Sequence, residues 1–277
     1  FCLLSYFEQV ATAADGFLDE VVSFARRVEA PKDAAFWRGL DKPLAPASIA
    51  EGAIEASEGN LQADFANQFL GGHVLQGLTA QEEIRFTICP ECLIGILFCE
   101  AMLPNEAIVI VGARQYSNYA GYGQSFRFTG RCSVDTQASS SDARGRKGPH
   151  IVAFDALERP GSRQYEEECI LRELLKVYVA CLGDPLESAG QRQKGLATGN
   201  WGCGVFGGDP QLKALIQWLA ASAAGRDLVY FPYSDPRVAE LPVVIKHLSE
   251  RGTRCCDLFD LILGSKPEQV FQHVLRS

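Results

Sequence analysis

The chain has 277 residues, of which 47% are hydrophobic, and no apolar run approaches the roughly 20 residues that a membrane-spanning helix needs. Its formal net charge of −8 at pH 7 disfavours non-specific binding to a polyanion, so any attraction for phosphate must be concentrated locally. We therefore expect an intracellular protein with one large domain or a core with a small accessory layer. Because the chain begins at Phe1 with neither an initiator methionine nor a basic leader, we expect no signal peptide and a longer parent protein.

The hydrophobic pattern predicts an α/β protein. In chain order it predicts a helix at 3–10, strands at 107–112 and 151–154, helices at 170–182 and 212–223, and a strand at 228–233. Gly183 is placed to end the second of these helices, as glycine commonly does. Residues 17–25 fit a helix or a strand equally well, so the pattern leaves that segment open.

The segment 132–149 has no periodicity and contains a run of serines and a basic cluster at 144–147. Such a composition predicts an exposed, mobile loop. Although the basic cluster could contact phosphates, we interpret it as a solvated part of that loop. No internal repeat and no interdomain linker is visible.

Ten cysteines raise the question of a metal site, and the closest pairs are Cys89 with Cys92 and Cys255 with Cys256. No second C-x-x-C motif completes a tetrahedral site, and the four histidines lack ligand spacing: His73, His150, His247 and His273. We therefore expect no metal. Four cysteines, one of them from the first pair, occur in apolar periodic segments and are interpreted as buried thiols: Cys92, Cys99, Cys169 and Cys181.

A pair of glycines followed by a pair of glutamates is the most informative motif. Gly71 and Gly72 precede Glu82 and Glu83, and Asp64 and Asn67 stand just upstream. Glycines let backbone N–H groups approach a phosphate or a ribose, and a carboxylate beside a glycosidic bond can act as its general acid or base. The cluster therefore predicts chemistry on a sugar, although a glutamate pair alone would more simply be a solvated helix start.

A second glycine-rich segment, 199–208, contains G-x-G-x-x-G before a predicted helix. By its letters this is a dinucleotide fingerprint, and an NAD-dependent oxidoreductase is therefore an alternative. Against this alternative, such a fingerprint belongs to the first β-α unit, whereas this one follows several elements. The oxidoreductase would also leave the sequence 81–83 without a role.

Several ordered blocks together resemble the poly(ADP-ribose) glycohydrolase family, whose signature is three glycines, a short spacer and Gln-Glu-Glu. The blocks are 2–8, 64–86, 115–122, 197–209 and 212–217, so the resemblance covers nearly the whole chain. One position departs from the signature, because His73 replaces its third glycine. A side chain at this position is expected to crowd the ribose or pyrophosphate or to change the preferred φ of the loop.

The resemblance implies a macrodomain, in which a mixed sheet lies between helices and ADP-ribose binds in a cleft at the strand ends. Residues 1–50 would be a partly helical N-terminal accessory segment, and residues 51–277 the catalytic domain. The implied activity is hydrolysis of ribose–ribose O-glycosidic bonds in poly(ADP-ribose), without a cofactor. The implied setting is a monomer in the nucleus or cytoplasm that acts in the DNA damage response on poly(ADP-ribose) and ADP-ribosylated proteins, with no sequence-specific nucleic acid and no membrane as partner.

The resemblance also implies residue roles. Glu83 would be the catalytic acid and then base, with Glu82, Asn67 and Asp64 orienting the ribose. Tyr122 would close over the nucleotide, Phe206 would lie against the distal ribose, Tyr233 on adenine, and Ile54 with Glu55 at the adenine edge. The remaining implied substrate-binding residues are Gly71, Gly72, His73, Gln81, Gly199, Asn200, Gly202, Cys203, Gly204 and Val205.

A non-catalytic or mono-specific ADP-ribose-binding module is the second alternative, and His73 is the feature that points towards it. The retained sequence Gln-Glu-Glu at 81–83 favours catalysis, because a binding module would not need it. The sequence leaves open whether chains are trimmed or single ADP-ribose units are removed. Four other aromatic residues are interpreted as packing residues: Tyr116, Tyr119, Trp201 and Trp218.

Overall fold

The computed structural model describes residues 1–13, 19–132, 142–186 and 195–277. Its α-helices are α1 (Cys2–Ala11), α2 (Ala34–Arg38), α3 (Gln81–Ile88), α4 (Glu167–Leu182), α5 (Pro210–Ala223), α6 (Leu241–Glu250), α7 (Cys255–Leu263) and α8 (Val270–Leu275). Its strands are β1 (Ser23–Val28), β2 (Ala47–Ile49), β3 (Leu61–Asp64), β4 (Glu106–Val111), β5 (Ser117–Ala120), β6 (Arg127–Arg131), β7 (His150–Ala153), β8 (Gly195–Gly199) and β9 (Asp227–Phe231). Within these described residues no helix combines the length and apolarity needed to cross a bilayer.

Seven strands form one mixed sheet in the order β1-β4-β7-β3-β8-β9-β2. The five strands from β7 to β2 run parallel, whereas β4 is antiparallel to both of its neighbours. The hairpin of β5 and β6 stands apart as a second, two-stranded sheet. This arrangement confirms the predicted α/β fold with a mixed sheet flanked by helices.

The core lies on both faces of the large sheet. Val109 and Val152 point into a cluster with residues of α4, α5 and α7, whereas Ile110 and Ile151 point into a cluster with Phe86 of α3. Alternate residues of a strand face opposite sides, so two apolar layers explain the nearly continuous apolar sequences of the central strands. Trp201 and Trp218 are fully buried, as predicted.

The predicted elements match observed ones within a few residues. The N-terminal helix, the two long helices and the three strands correspond to α1, α4, α5, β4, β7 and β9. Gly183 follows α4 with a φ of 69°, which explains why the helix ends there. The ambiguous segment 17–25 contributes the beginning of β1, so its described end is a strand.

Both edge strands of the large sheet come from the first 50 residues. β1 pairs with β4 at one edge, and β2 pairs with β9 at the other. The N-terminal segment therefore supplies two strands in addition to helix α1. The division of the chain at residue 50 remains a prediction.

The prediction of an exposed loop at 132–149 is wrong for part of that segment. Arg146 is 3% exposed and forms ion pairs with Asp142 and Asp184, at 2.7 and 2.6 Å. Lys147 pairs with Glu20 at 3.0 Å. Two carboxylates neutralise the guanidinium of Arg146, which makes its burial possible. Residues 133–141, including the serine run, lie outside the described residues.

Candidate active site

The candidate site lies where the carboxyl ends of parallel strands meet, which is where ligands bind in such sheets. The segment 65–80 leads from β3 to helix α3, the glycine loop 200–208 follows β8, and the turn 232–235 follows β9. A cleft of about 100 Å³ lies between the first two of these segments. Its lining includes Phe65, Ala66, Ala80, Gln81, Tyr122, Asn200, Gly204, Val205 and Phe206.

Glu82 holds the first glycine segment in place. One carboxylate oxygen accepts a hydrogen bond from the backbone N–H of Gly71 at 2.6 Å, and the other accepts one from Asn67 N–H at 2.8 Å. The side chain is buried, and this burial raises the pKa of Glu82 well above its ordinary value. The charge of Asp64 raises that pKa further, whereas the two N–H donors oppose the rise. Both oxygens of Glu82 are therefore occupied by the protein.

Glu83 differs from its neighbour because one of its oxygens is unoccupied. Oε1 accepts a hydrogen bond from the backbone N–H of His73 at 3.1 Å, whereas Oε2 is buried and has no partner among the described residues. Gly72 packs against both glutamates, and a Cβ there would lie 2.7 Å from Glu82 Oε2 and 2.8 Å from Glu83 Oε1. The absence of a side chain at Gly72 thus allows both carboxylates to pack closely against the loop.

His73, at the third position of the glycine triplet, adopts a φ of −105°. This value is accessible to any residue with a side chain, so the backbone here does not require glycine. The imidazole is exposed and its Nδ1 lies 2.5 Å from Gln76 Oε1. The observed contribution of this position to the glutamates is its N–H group, which every residue except proline carries.

Asp64 is fully buried at the end of β3, and neither of its carboxylate oxygens has a hydrogen-bond partner among the described residues. Burial raises the pKa of Asp64 to about 7, an effect that Arg85 opposes and that Glu83 and Glu55 reinforce. Asn67 is half-buried, and its Oδ1 accepts from the N–H of Phe69 at 3.0 Å. The structure therefore brings both upstream residues close to the glutamate pair.

Gln81 joins helix α3 to strand β3. Its Oε1 accepts from the N–H of Phe65 at 2.7 Å, and its Nε2 donates to the carbonyl of Ala63 at 3.1 Å. The amide group is thus used by the protein itself, although the residue also lines the cleft. Sequence reasoning assigned Gln81 to the substrate, whereas the geometry gives its amide a positioning role.

The glycine loop 200–208 offers unpaired backbone donors. The N–H groups of Gly204, Val205 and Phe206 have no hydrogen-bond partner within the described residues, and a Cβ at Gly204 would meet nothing within 4 Å. Val205 is exposed and Phe206 is half-buried. Helix α5 begins directly after the loop, with Asp209 as its N-cap. Consecutive free N–H groups before a helix N-terminus are suited to bind phosphate.

Other residues of this loop face inward. Cys203 is 5% exposed, its Sγ contacts the carbonyl of Trp201 at 3.3 Å, and burial raises the pKa of its thiol. Gly202 has a φ of 73°, and a Cβ there would lie 2.6 Å from Ala156 Cβ. Cys203 and Gly202 therefore pack against the protein and hold the loop in place.

An aromatic and a carboxylate lie together beyond the glycine loop. Tyr233 is 50% exposed, and its hydroxyl accepts from the N–H of Ile54 at 3.4 Å. Glu55 lies 3.7 Å from the guanidinium of the buried Arg85. Burial raises the pKa of Tyr119, and Glu55 raises it further, which places that tyrosine beside the same carboxylate. Tyr119 was expected only to pack, and Arg85 was not singled out by the sequence.

Tyr122 lines the cleft. It is 58% exposed, and its pKa is raised by burial of part of the ring and by the charge of Glu83. The backbone N–H of Gln81 bonds to its hydroxyl and opposes this rise. Tyr122 therefore lies near enough to Glu83 to be affected by its charge. Tyr116, by contrast, is fully buried and donates to Glu91 at 2.5 Å, as expected of a packing residue.

Metal-ligating side chains do not converge in the part of the chain that the structure describes, where no group of three or more could hold an ion. All ten cysteines are free thiols. Cys89 and Cys92 are both buried below helix α3, and burial raises the pKa of each. These two thiols behave as small apolar groups in the core.

Comparison with known proteins gives consistent results. The family model described as Poly (ADP-ribose) glycohydrolase (PARG), Macro domain fold, matches residues 34–240. Poly(ADP-ribose) glycohydrolase 1 of Arabidopsis thaliana is 34% identical over 337 aligned residues, which cover 98% of this chain and 60% of that protein. Poly(ADP-ribose) glycohydrolase 1 of Caenorhabditis elegans is 36% identical over 211 residues, which cover 73% of this chain and 27% of that protein. The chain thus spans less than two thirds of either relative.

A solved structure of poly(ADP-ribose) glycohydrolase from Deinococcus radiodurans in complex with ADP-ribose is 15% identical, with a TM-score of 0.45, and the match covers 82% of this chain and 95% of that one. The G-x-G-x-x-G segment follows β8 and not the first β-α unit, so the oxidoreductase alternative loses its structural support. The match of the family model extends over the glycine segments, both glutamates and the aromatic turn. The chain therefore belongs to the poly(ADP-ribose) glycohydrolase family and has its macro domain fold.

Proposed function

We propose that the protein hydrolyses ribose–ribose O-glycosidic bonds in poly(ADP-ribose) and releases ADP-ribose, with Glu83 as the general acid and base. The observation that carries this proposal is the buried, unpartnered Oε2 of Glu83, two residues after Gln81 of the cleft lining. The cleft is also lined by the free N–H donors of the glycine loop, and the half-exposed ring of Tyr233 follows β9 at the same edge of the sheet. A site that only bound ADP-ribose would not need a carboxylate oxygen held free of protein partners.

The reaction needs one proton-carrying group at the glycosidic oxygen. Glu83, in its protonated form, donates its proton from Oε2 to the departing ribose oxygen while the bond from that oxygen to the anomeric carbon breaks. The resulting carboxylate then takes a proton from a water molecule, whose oxygen attacks the oxocarbenium-like carbon. ADP-ribose leaves with a hydroxyl at that carbon, and Glu83 is protonated again. The N–H of His73 holds Oε1 throughout, so that Oε2 remains the reacting oxygen.

Binding energy is supplied away from the reacting bond. The diphosphate binds to the free N–H groups of the glycine loop, at the N-terminus of α5. The distal ribose lies between Phe206 and the glutamates, under Tyr122. Adenine lies against Tyr233, with the segment of Ile54 and Glu55 at its edge. This mode suits the end of a poly(ADP-ribose) chain or a protein-linked unit, acted on by a monomer in the nucleus or cytoplasm.

Glu83→Gln tests the proposal. The amide keeps the shape of the side chain but cannot carry the proton, so the rate of hydrolysis should fall by about 10²- to 10⁴-fold. The affinity for ADP-ribose, measured by calorimetry, should remain within about threefold of the wild type, because an amide oxygen can still accept the hydrogen bond from the N–H of His73. Product analysis with defined ADP-ribose oligomers and with protein-linked monomer would also determine whether chains or single units are cleaved.

Glu82→Gln is the matched comparison. Its new amide would keep one acceptor oxygen but turn an NH2 donor towards the N–H of either Gly71 or Asn67, so this variant should lose affinity as well as rate. Near wild-type turnover by folded Glu83→Gln protein would remove Glu83 from the mechanism.

A further inference from the structure

The turn that follows β9 has an unusual backbone. Tyr233 and Ser234 have φ values of 50° and 56°, and no other two adjacent non-glycine residues in the described chain share positive φ. The left-handed region is unfavourable for residues with a Cβ, so two in succession persist only when surrounding contacts hold them. Ser234 is exposed, which means that packing of its side chain does not impose the conformation.

Asn200 supplies contacts of the required kind. Its Nδ2 donates to the carbonyl of Pro232 at 3.0 Å and to Asp235 Oδ2 at 3.4 Å. Its Oδ1 accepts from the hydroxyl of the buried Tyr230 at 2.8 Å, which fixes the orientation of the amide. One side chain at the start of the glycine loop therefore ties both ends of the turn, and both of its polar atoms are occupied by protein groups.

The turn places Tyr233 beside the end of β8, from which the glycine loop continues. A Cβ at Gly199, the last residue of β8, would lie 3.4 Å from Tyr233 Cε2, so the ring passes directly beside the point where that loop begins. Half of the tyrosine remains exposed. An exposed aromatic face beside a phosphate-binding loop is suited to stack on a nucleobase, and the stacking distance depends on where the turn holds the ring.

We propose that Asn200 is a positioning residue for the adenine base: its amide holds the turn 232–235 in the left-handed conformation and so sets Tyr233 relative to the glycine loop. This role replaces the direct substrate contact that the sequence suggested for Asn200, and it rests on the proposed binding of ADP-ribose. Asn200 thereby couples the part of the site that binds phosphate to the part that binds the base.

Calorimetric titration with ADP-ribose provides the first test. Asn200→Ala should weaken binding about tenfold, and Tyr230→Phe should weaken it about threefold because the amide loses one orienting bond. Asn60→Ala is the control, since Asn60 is a half-buried asparagine that lies before β3, at the opposite end of the sheet. Equal affinity of folded Asn200→Ala and wild-type protein would overturn the proposal.

The decisive measurement is rescue by glycine at the next position. Ser234→Gly lowers the cost of the left-handed backbone, so adding it to Asn200→Ala should recover about fivefold of the lost affinity, judged against Ser234→Gly alone. If Asn200→Ala does not fold, Ser234→Gly is added to Tyr230→Phe instead, where it should recover about twofold of the threefold loss. Loss of affinity without rescue in either pairing would indicate a direct contact of Asn200 with the ligand and overturn this inference alone. Absence of ADP-ribose binding by wild-type protein would instead refute the proposed function, and the inference with it.

Discussion

Replacing Gly72 by alanine should impair catalysis, because the new methyl group would displace the carboxylates of Glu82 and Glu83. The added Cβ would lie 2.7 Å from Glu82 Oε2 and 2.8 Å from Glu83 Oε1. Both distances are shorter than ordinary van der Waals contact, so the carboxylates or the loop must move by about 0.5 to 1 Å. Because a misplacement of about 1 Å can cost roughly 10²-fold in rate, we expect hydrolysis of poly(ADP-ribose) to fall by about that factor.

The backbone of Gly72 adds a smaller cost. Its φ of 49° lies in the left-handed region, where a Cβ costs roughly 1 to 2 kcal/mol. Gly77 and Gly59 are controls for the backbone cost alone. Their φ values are also positive, 79° and 72°, but a Cβ at either would meet nothing within 4 Å. We expect Gly77→Ala and Gly59→Ala to lower thermal stability by similar amounts while retaining most of the activity.

The assay combines initial rates on poly(ADP-ribose) with thermal unfolding of all three variants. The reasoning requires a large difference in rate between Gly72→Ala and Gly77→Ala at similar losses of stability. If the two variants retained the same activity, the close contact between Gly72 and the glutamates would not matter for catalysis. A complete loss of folding only in Gly72→Ala would assign the glycine to stability.

Three further changes have defined outcomes. Gly204→Val should weaken ADP-ribose binding about tenfold or more in calorimetry without unfolding the protein, because its branched side chain enters space that is open in the structure and needed by phosphate. Unchanged affinity would mean that this loop does not bind the diphosphate. His73→Gly should keep activity within about threefold, whereas His73→Pro should lower it about 10²-fold by removing the N–H that holds Glu83, and equal rates would refute that role. The raised pKa of Asp64, about 7 against an ordinary 3.8, means that its contribution to stability is fully present below pH 3.8 and is lost as pH rises through about 7. In urea unfolding, the free energy of the wild type should therefore fall between pH 4 and 8 by up to roughly 4 kcal/mol more than that of Asp64→Asn, and parallel pH profiles would contradict the assignment.

The residue types themselves indicate the chemistry of the site, whereas only the family resemblance assigns Glu83 as the acid and base and Glu82 as an orienting residue. The spacing alone does not distinguish the two glutamates, because they are adjacent in the motif. Which one reacts depends on which oxygens accept backbone N–H groups, and those donors are Asn67, Gly71 and His73. That pattern is set by the path of the folded loop, so it cannot be derived from the spacing of letters.

The other features that the sequence did not predict involve residues whose partners are distant in the chain. Arg146 stands among basic and small residues that suggest a solvated loop, yet one of its carboxylate partners is Asp184, on another segment. Asn200 similarly bonds to residues more than 30 positions away. The strand β2 has only three residues, too few to show any alternation. The long helices were predictable because apolar residues recur at helical spacing, and the strands β4, β7 and β9 because they are short apolar sequences rich in β-branched or aromatic residues.

The position of β1 and β2 at the two edges of the sheet limits how the chain can be shortened. A chain that started at residue 51 would lose both strands, and with them the partners of β4 and β9. The uncovered N–H and C=O groups of β4 and β9 would then be available to strands of other molecules. Shortened chains should therefore self-associate or precipitate even though every glutamate and glycine of the cleft is still present, and low yield from them would reflect exposed sheet edges and not an altered active site.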